Sequence, residues 1–239
     1  LTNYGPIGAI WFDGVWDQPE SFDWQLEEQY ALIHKLQPAC LVGNNHHRTP
    51  YVGEDFQMFE RDLPGENKSG YSDGQEVSAL PLETCETMNG MWGYKIEDQN
   101  YKSTKTLIQL LVRAAGKNAN LLMNIGPQPN GELPAVAVQR MKEMGEWMQQ
   151  YGETIYGTRK GDVEPHAWGV STRKGNRLFI HVLDLKDSSL FIPLQAKVKK
   201  ALQFVDQSPL TFKQDKEGVL VKLPKVPTDV DYVIELQLK

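Results

Sequence analysis

Two short apolar segments that stop abruptly at polar residues constrain the fold of this chain more than any other feature. Residues 8–12 follow a Gly-Pro pair and stop at Asp13, and residues 40–42 stop at a polar cluster over residues 43–48. Continuous apolar runs of this length are typical of buried parallel strands, whose carboxyl ends often carry functional loops. A helical pattern that Pro38 terminates lies between the two runs. This order of elements predicts an α/β barrel.

The same alternation of strand and helix patterns continues to about residue 160. Asp23 resembles a helix N-cap and is followed by two acidic residues in the first turn. Gly116 and Gly152 stand where later helices would end. The pattern predicts, in order, a helix from Asp23, a long loop over 49–79, a strand over 81–88, a helix over 103–115, a strand over 121–126 and a helix from Pro134.

Beyond residue 161 the helical period disappears and alternating segments take over. Residues 177–182, 198–205, 219–223 and 230–238 have the pattern of strands. In the last of these, apolar residues at 230, 232, 234, 236 and 238 predict an antiparallel strand that is buried on one face only. Several such strands separated by turns predict an all-β antiparallel sandwich. We therefore expect one domain over 1–160 and a second over 161–239.

Composition and charge narrow the possible functions. The net charge of −6 and the absence of a basic stripe argue against a nucleic-acid partner. No run of 18 apolar residues is present, so no membrane span is expected. Cys40 and Cys85 are too few for a disulfide framework, and we expect two buried free thiols. The first residues resemble no signal peptide and include no initiator Met, so we expect the true start of the protein to lie elsewhere.

Asp13 is the first candidate for chemistry, because it ends a predicted barrel strand at the face where barrels of this type build active sites. Trp11, two residues earlier, is expected on the same side of the strand, where it would form a wall for a sugar ring. The alternative is a structural Asp that caps the following turn. From spacing alone, the capping interpretation is favoured.

A glycosidase requires a second carboxylate. Glu54 in the predicted long loop suits a general acid that reaches over a leaving group, and Asp55 is adjacent. Glu83, near a strand end, would orient the nucleophile or bind a hydroxyl. Residues 60–62 (Glu-Arg-Asp) are equally consistent with a structural ion-pair cluster. Spacing does not choose among these acids.

The polar cluster after the second strand is dense in hydrogen-bond donors, and His46 and His47 within it predict recognition of sugar hydroxyls. A metal site is disfavoured because adjacent histidines diverge on a regular backbone. Trp92 is a candidate for stacking on a sugar face or for filling the core, and Asn124 ends the last predicted strand of this half.

Four ordered motifs resemble one family, the α-L-fucosidases of glycoside hydrolase family 29. Residues 11–14 resemble the family's nucleophile strand, and residues 83–94 resemble its Trp-Glu-x-Cys…Trp-Gly-Tyr segment. Residues 120–131 resemble its Asn-Leu-Leu-Leu-Asn-Ile-Gly-Pro strand and turn, and residues 145–158 resemble the helix and exit that lead into its C-terminal sandwich.

The resemblance implies a retaining, cofactor-free and metal-independent hydrolysis of terminal α-L-fucose from oligosaccharides or glycoconjugates. It places the nucleophile on Asp13, the general acid/base on Glu54 with Glu83 as second choice, and sugar contacts on Trp11. It also implies that the chain holds the second half of a (β/α)8-type barrel followed by the sandwich.

Departures from the family pattern affect the sugar side of the site. Where the family often has Asn-Asp-Arg-Trp, this chain has Asn-Asn-His-His, so that His46 takes the Arg position and His47 the Trp position. Leu82 stands where many members have Trp. The family's first barrel strands have no counterpart here, so we expect turnover to need an N-terminal portion absent from this chain. The alternative is a catalytically incompetent glycan-binding fragment, and the expected location is a secreted, periplasmic or lysosome-like compartment.

Overall fold

The computed structural model describes residues 1–19 and 21–239, leaving Glu20 outside the described residues. By their internal contacts the residues form two compact units, one of residues 1–86 with 119–124 and one of residues 87–118 with 125–239. The expected domain boundary near residue 160 stays a prediction. The strands are β1 Ala9–Phe12, β2 Leu41–Asn44, β3 Phe56–Glu60, β4 Leu82–Thr87, β5 Ala119–Asn124, β6 Arg159–Lys160, β7 Gly169–Lys174, β8 Arg177–Val182, β9 Ser189–Ile192, β10 Val198–Gln203, β11 Thr211–Gln214, β12 Val219–Lys222 and β13 Tyr232–Leu238, and the helices are α1 Leu26–Leu36, α2 Thr104–Gly116 and α3 Ala135–Tyr151.

The first unit is built on a five-stranded sheet in the order β1-β2-β3-β4-β5. The pairs from β1 to β4 are parallel, as the short apolar runs predict. One face packs on α1, where Tyr30 and Ile33 form a core with Ile10, Phe12 and Val42. Because side chains alternate between the two faces of a strand, this packing leaves Trp11 and Asp13 on the opposite face.

Strand β3 corrects the prediction of a continuous loop over 49–79. Residues 56–60 pair with β2 through Gly43 and Phe56 and with β4 through Gln57 and Leu82. The strand was missed because Gln57 and Glu60 interrupt its apolar pattern. Both side chains are buried but hydrogen-bonded, and such satisfied polar groups hide a buried strand from a hydropathy pattern.

Helix α1 begins at Leu26, three residues after the predicted start at Asp23. Gln25 occupies the N-cap position with φ 51°, in the left-handed region. The Asp23 side chain accepts a hydrogen bond from the Gln25 backbone N–H at 2.8 Å. Asp23 therefore closes the turn that precedes the helix and does not cap the helix itself.

In the second unit, α2 and α3 confirm the predicted helices over 103–115 and from 134. Ser103 caps α2, its side chain accepting a hydrogen bond from Thr106 N–H. Pro134 precedes the first residue of α3, where a fixed φ suits the start of a helix. Thr104 donates a hydrogen bond to Glu143, which links the two helices.

The remainder of this unit is antiparallel, with one sheet in the order β10-β13-β8-β7-β6 and another in the order β11-β12-β9. The strands predicted over 177–182, 198–205, 219–223 and 230–238 are present, and β6, β7, β9 and β11 were not predicted. One continuous core contains side chains from both sheets, including Ile180, Ile192 and Ile234.

Strand β13 is antiparallel as predicted, but the expectation of a single buried face is wrong. Val233 and Glu235, on the face expected to meet solvent, are both almost fully buried. Val233 packs in a small cluster with Phe179 and Phe204, and Glu235 pairs with Arg177. One face of the strand packs in the core shared by the two antiparallel sheets, and the other packs on this small cluster and Tyr151, so polar residues on the strand require partners.

Both cysteines are free and buried. Among the described residues, none of the helices is long and apolar enough to cross a membrane.

Candidate functional site

The carboxyl ends of the first three strands bring Asp13, Asn45 and Glu60 together. Asp13 follows β1, Asn45 follows β2 and Glu60 ends β3, so all three stand at one edge of the parallel sheet. The Asn45 amide nitrogen donates to Asp13 Oδ1 at 3.3 Å and to Glu60 Oε2 at 2.8 Å. One neutral amide thus bridges two carboxylates, and Asp13 is exposed while Glu60 is buried.

Glu83 lies on the same face of the sheet and at the same level as Asp13. Phe12 is in register with Asn44, Asn44 with Gln57, and Gln57 with Leu82. These four residues form one row across the sheet. The next row, one residue further along each strand, contains Asp13, Asn45, Met58 and Glu83, and residues in one row point to the same face of the sheet. Burial raises the pKa of the half-buried Glu83 carboxyl. A carboxyl group in that environment retains its proton to a higher pH than an ordinary glutamate.

The thiol of Cys85 reports the negative charge of this face. Burial first, and then the charges of Glu60, Glu83 and Asp13, raise the pKa of Cys85 to about 12. Cys85 is in register with Glu60 and lies two residues beyond Glu83 on β4. The thiol therefore stays protonated at neutral pH and is a poor nucleophile.

Trp11 lies on this face, two residues before Asp13, as predicted. Its indole nitrogen donates to Met58 Sδ at 3.0 Å, and 38% of the residue is exposed. The ring is thus held at the sheet surface with part of it open.

The two histidines after β2 point to different partners. His47, at φ 59°, places Nε2 3.0 Å from Glu60 Oε2 and stacks on Trp16 with the ring centroids 5.0 Å apart. His46 is buried and places Nε2 2.9 Å from Glu54 Oε1. His47 therefore belongs to the carboxylate cluster of Asp13 and Glu60, whereas His46 belongs to a separate network.

That separate network contains Glu54. The Glu54 side chain is 1% exposed, and Oε1 accepts a hydrogen bond from the Tyr30 hydroxyl at 3.0 Å. Asn44 in turn donates to the Tyr30 hydroxyl at 2.7 Å. Glu54, which lies before the start of β3, thus contacts Tyr30 and His46 and belongs to a different network from Asp13 and Asn45.

Asp55 also lies apart from the Asp13 cluster. Its Oδ2 accepts from the Val42 backbone N–H at 2.8 Å and contacts His34 Nε2 at 2.9 Å. Both partners belong to the helix-covered side of the sheet.

Trp92 lies in the second unit, half-buried in an irregular segment after β4. Asn124 is the last residue of β5, as predicted.

Sequence reasoning missed Glu60 and Asn45 as members of the cluster. The sequence left Glu60 open as a member of an ion-pair cluster over residues 60–62. In the structure Glu60 Oε2 accepts from Asn45 and contacts His47, and Asp62 accepts from the backbone N–H groups of Lys68 and Ser69. Recognising residues 56–60 as a strand would have placed Glu60 at a strand end, which is the signal that identified Asp13. No group of three or more His, Cys, Asp or Glu side chains in the described ranges 1–19 and 21–239 has the arrangement of a metal site.

Among known proteins, this chain is similar to α-L-fucosidases. The family model for α-L-fucosidase matches residues 1–153. The plasma α-L-fucosidase of Rattus norvegicus is 30% identical over 246 residues, covering 95% of this chain and 50% of that protein. The chain thus spans about half the length of the curated relatives it matches.

Two solved structures are similar over nearly the whole chain. One is α-L-fucosidase isoenzyme 1 from Paenibacillus thiaminolyticus, 32% identical with a TM-score of 0.79, covering 100% of this chain and 59% of that one. The other is an α-L-fucosynthase from Thermotoga maritima, 25% identical with a TM-score of 0.73, covering 96% of this chain and 51% of that one. Since the family model covers most of its residues, this chain belongs to the α-L-fucosidase family.

Proposed function

We propose that this chain supplies the nucleophile and the general acid/base of a retaining α-L-fucosidase, which removes terminal α-L-fucose from glycans through a covalent fucosyl-aspartate intermediate. The observation that carries this proposal is the Asp13–Asn45–Glu60 cluster at the strand ends, with Glu83 on the same face. Support also comes from the names of the relatives and from the Thermotoga protein, a fucosynthase that carries an Asp→Gly substitution and binds α-L-Fuc-(1-2)-β-L-Fuc-N3.

Asp13 is proposed as the nucleophile because it is the exposed carboxylate of the cluster. In the first step an Asp13 oxygen forms a bond to the anomeric carbon while the bond to the leaving oxygen breaks and that oxygen takes a proton. In the second step water attacks the same carbon, its proton passes to the carboxylate that protonated the leaving oxygen in the first step, and the bond to Asp13 breaks to release the Asp13 carboxylate. The Asn45 amide holds the attacking carboxylate in place through both steps.

Glu83 is proposed as the general acid, in preference to Glu54. Burial raises the pKa of Glu83, which suits a group that must carry a proton to the leaving oxygen. Glu54 is enclosed by Tyr30 and His46, so a substrate would have to displace one of them to reach it. Glu60 accepts hydrogen bonds from two donors at one oxygen, and we assign it the positioning of Asn45 and His47.

Contacts with the sugar are assigned to the groups that remain accessible around the cluster. The exposed part of Trp11 would face the apolar side of fucose, and His47 would meet a hydroxyl. His46 is proposed to act through Glu54 rather than to touch sugar. The prediction that Trp92 stacks on the substrate is kept as a proposal.

The finer architecture is proposed as part of a (β/α)8-type barrel followed by a β-sandwich, with the boundary near residue 160. The parallel sheet with α1 between β1 and β2 supports the first, and the core shared by the two antiparallel sheets supports the second. A barrel of this type has eight strands. Because the first sheet has five strands, we expect turnover to require the additional length that the relatives possess.

A secreted, periplasmic or lysosome-like location is proposed. The name of the rat relative, a plasma α-L-fucosidase, supports it.

The nucleophile is tested by covalent trapping with 2-fluoro-fucosyl fluoride, which would give a stable fucosyl-enzyme. The chain alone is compared with a chimera that joins it to the portion of the Paenibacillus relative that the similarity leaves uncovered. Intact mass should rise by one 2-fluorofucosyl group in the chimera, with the label on the peptide containing Asp13. Labelling elsewhere would refute the assignment, and fucose binding without labelling or turnover would favour the glycan-binding alternative.

The general acid is tested in the same chimera by comparing Glu83→Gln with Glu54→Gln on fucosides of differing leaving-group basicity. Removing the acid should slow hydrolysis of a poor leaving group by about 10²–10⁴-fold and spare a dinitrophenyl fucoside. We expect this contrast for Glu83→Gln only. The contrast in Glu54→Gln would restore Glu54 as the acid/base.

A further inference from the structure

The outer face of the three-stranded sheet β11-β12-β9 carries exposed side chains that the proposed function does not use. Leu190 and Ile192 of β9 and Val219 and Val221 of β12 point into the core shared by the two antiparallel sheets. Because side chains alternate along a strand, the residues next to them point outward. The exposed residues of this outer face are Ser189, Phe191, Thr211, Lys213, Leu220 and Lys222.

Strand pairing places these six residues in two adjacent rows. One row contains Phe191, Leu220 and Lys213, and the next contains Ser189, Lys222 and Thr211. Neighbouring strands lie about 4.8 Å apart, and residues two apart on one strand are separated by about 7 Å. The six side chains therefore form one continuous patch.

The Phe191 ring is held over a glycine, with its outer side open. A Cβ atom added to Gly218 would lie 2.8 Å from Phe191 Cζ, so the ring fills the space that a side chain at residue 218 would need. Leu220 lies directly opposite Phe191 on the neighbouring strand. Phe191 is 49% exposed and Leu220 is 46% exposed. The pair thus presents a positioned apolar surface, and an aromatic ring of this kind suits stacking on the C–H face of a sugar.

The charge around this face is opposite to that of the chain as a whole. Residues 186–225 contain eight lysines and four acidic residues, whereas the whole chain has a net charge of −6. The outer face itself carries two lysines and no carboxylate. Among residues 1–19 and 21–239, no carboxylate forms an ion pair with Lys213 or Lys222. Both ammonium groups are therefore available to an anionic partner.

Protection of a sheet edge does not account for this pattern. Lysines on edge strands commonly block pairing with another chain. In the order β11-β12-β9, Lys213 is on an edge strand, but Lys222 is on the central strand. Phe191 is on the other edge strand, where an exposed aromatic group promotes association instead of preventing it.

The donors on this face fit a tetrahedral oxyanion. Lys222 lies between Ser189 and Thr211 in its row, so two hydroxyl groups flank its ammonium group. Planar carboxylates are bound best by the two-pronged guanidinium of arginine, whereas lysine acts as a point charge. No arginine occurs in residues 178–239. A sulfate ester, whose three terminal oxygens point in different directions, matches this set of donors.

We propose that the outer face binds a sulfated polysaccharide, with a sugar ring stacked on Phe191 and sulfate esters paired with Lys213 and Lys222. An extended polymer can lie along the flat face of a sheet. A lipid bilayer is disfavoured because Phe191 lies within a strand and not on a loop that could insert into it. The choice of a glycan over a nucleic acid rests on the proposed function, which acts on glycans. The surface would hold the protein on sulfated material without touching the reacting atoms.

The test measures binding of dextran sulfate to the 239-residue chain by calorimetry at several salt concentrations. The comparison probes are neutral dextran, polygalacturonate, polyuridylate and vesicles of phosphatidylcholine with phosphatidylserine. The variants are Phe191→Ala and the double variant Lys213→Gln with Lys222→Gln, each checked for unchanged thermal unfolding. The matched control is Lys105→Gln with Lys142→Gln, which removes two exposed lysines from α2 and α3 of the same unit.

We expect dextran sulfate to bind and neutral dextran not to bind. The Lys213 and Lys222 double variant should bind at least tenfold more weakly at about 0.1 M salt, and the slope of log affinity against log salt should shrink by about 1.5 because two ionic contacts are lost. Phe191→Ala should bind at least threefold more weakly with an unchanged salt slope. The control double variant should stay within twofold of the parent.

Several results would overturn the proposal. Equal weakening in the two double variants would show a general effect of charge, and unchanged affinity in Phe191→Ala would remove the stacking surface. Tighter binding of polygalacturonate than of dextran sulfate would overturn the assignment of a sulfate ester. Tighter binding of polyuridylate or of the vesicles would replace the sulfated polysaccharide by a nucleic acid or a membrane.

This test is separate from covalent trapping at Asp13. Labelling of Asp13 in the chimera without binding that depends on Lys213 and Lys222 would overturn the surface alone. Binding that depends on these lysines, in a chimera that cannot be labelled at Asp13, would support the surface and overturn the proposed function.

Discussion

Two histidine–carboxylate pairs, one in each unit, use the same chemical groups in different surroundings. In the first unit His47 pairs with Glu60 at 3.0 Å, the side chains being 18% and 10% exposed beside an open cavity. In the second unit His181 pairs with Asp231 at 2.7 Å, and both side chains are 0% exposed. His181 Nε2 also lies 3.2 Å from the hydroxyl of Thr172, so the second pair extends to a hydroxyl–histidine–carboxylate series.

The closed series cannot act as a catalytic triad, although its order of groups resembles one. The Thr172 hydroxyl donates its hydrogen to the Thr154 carbonyl at 2.6 Å, so His181 Nε2 faces an acceptor and cannot take a proton from it. No substrate reaches a side chain with zero exposure. The comparison teaches that access and hydrogen-bond direction, and not residue types, separate the candidate site from a structural network.

The largest effect is expected on turnover at the exposed carboxylate of Asp13. Asp13→Ala removes the nucleophile, so kcat for an aryl fucoside in the chimera should fall by more than about 10³-fold. Azide should restore part of the rate by replacing the carboxylate, and the product should then be a fucosyl azide. Because Asp13 is exposed, unfolding free energy should change by less than about 0.5 kcal/mol. A variant with near-normal turnover would show that Asp13 is only a strand cap.

The next largest effect is expected on the stability contributed by the buried pair of His181 and Asp231. His181→Ala leaves the Asp231 charge buried without its partner, and the free energy of unfolding measured with urea should fall by about 3–5 kcal/mol. Replacing both residues by leucine should cost less than either single change, since no charge then stays buried. Catalysis per folded molecule should be unaffected. A loss of kcat at unchanged stability would contradict the structural role.

A smaller effect is expected at Asn45, whose amide bridges Asp13 and Glu60. Asn45→Asp replaces the shared donor by a third carboxylate between Asp13 and Glu60. Like-charge repulsion then raises the pKa of the introduced carboxyl group. Stability should fall by about 1–3 kcal/mol at pH 7 and recover at pH 4, because a raised pKa contributes stability at low pH that is lost as pH rises. Asn45→Ala should lose stability without this pH dependence. Identical pH profiles for the two variants would argue against the bridge.

The smallest effect concerns Glu83, whose pKa burial raises. The stability associated with this group is full below its unfolded pKa and is lost as pH rises through the raised folded value. Glu83→Gln escapes that loss, so its Tm should exceed that of the parent at pH 7 and match it at pH 4. Glu28→Gln, an exposed glutamate on α1, is the control and should show no such difference. A Tm difference independent of pH would mean that Glu83 is not desolvated.

Much of the fold could be predicted because its signals are local. Apolar runs with abrupt polar ends identified β1 and β2, and helical periodicity with Ser103 and Pro134 identified α2 and α3. The errors occurred where tertiary contacts override local pattern. Strand β3 contains Gln57 and Glu60, whose burial is stabilised by partners elsewhere in the chain, and β13 buries Glu235 against Arg177.

The candidate site was predicted in part. Asp13, Trp11 and Glu83 share the face that strand alternation gives them, and this follows from the strand positions. The sequence did not separate Glu54 from Glu60, since both are acids in one polar stretch. Their strand positions differ, and the first contacts Tyr30 while the second contacts Asn45.

The sequence by itself determined the family, the parallel and antiparallel halves and the strand-end position of Asp13, because motifs, periodicity and strand endings are properties of neighbouring residues. Only the tertiary structure decided which acids accompany Asp13 and which way each of the two adjacent histidines points. Those relations join residues from three or more separate segments, and their geometry depends on the register of the sheet and the path of its loops.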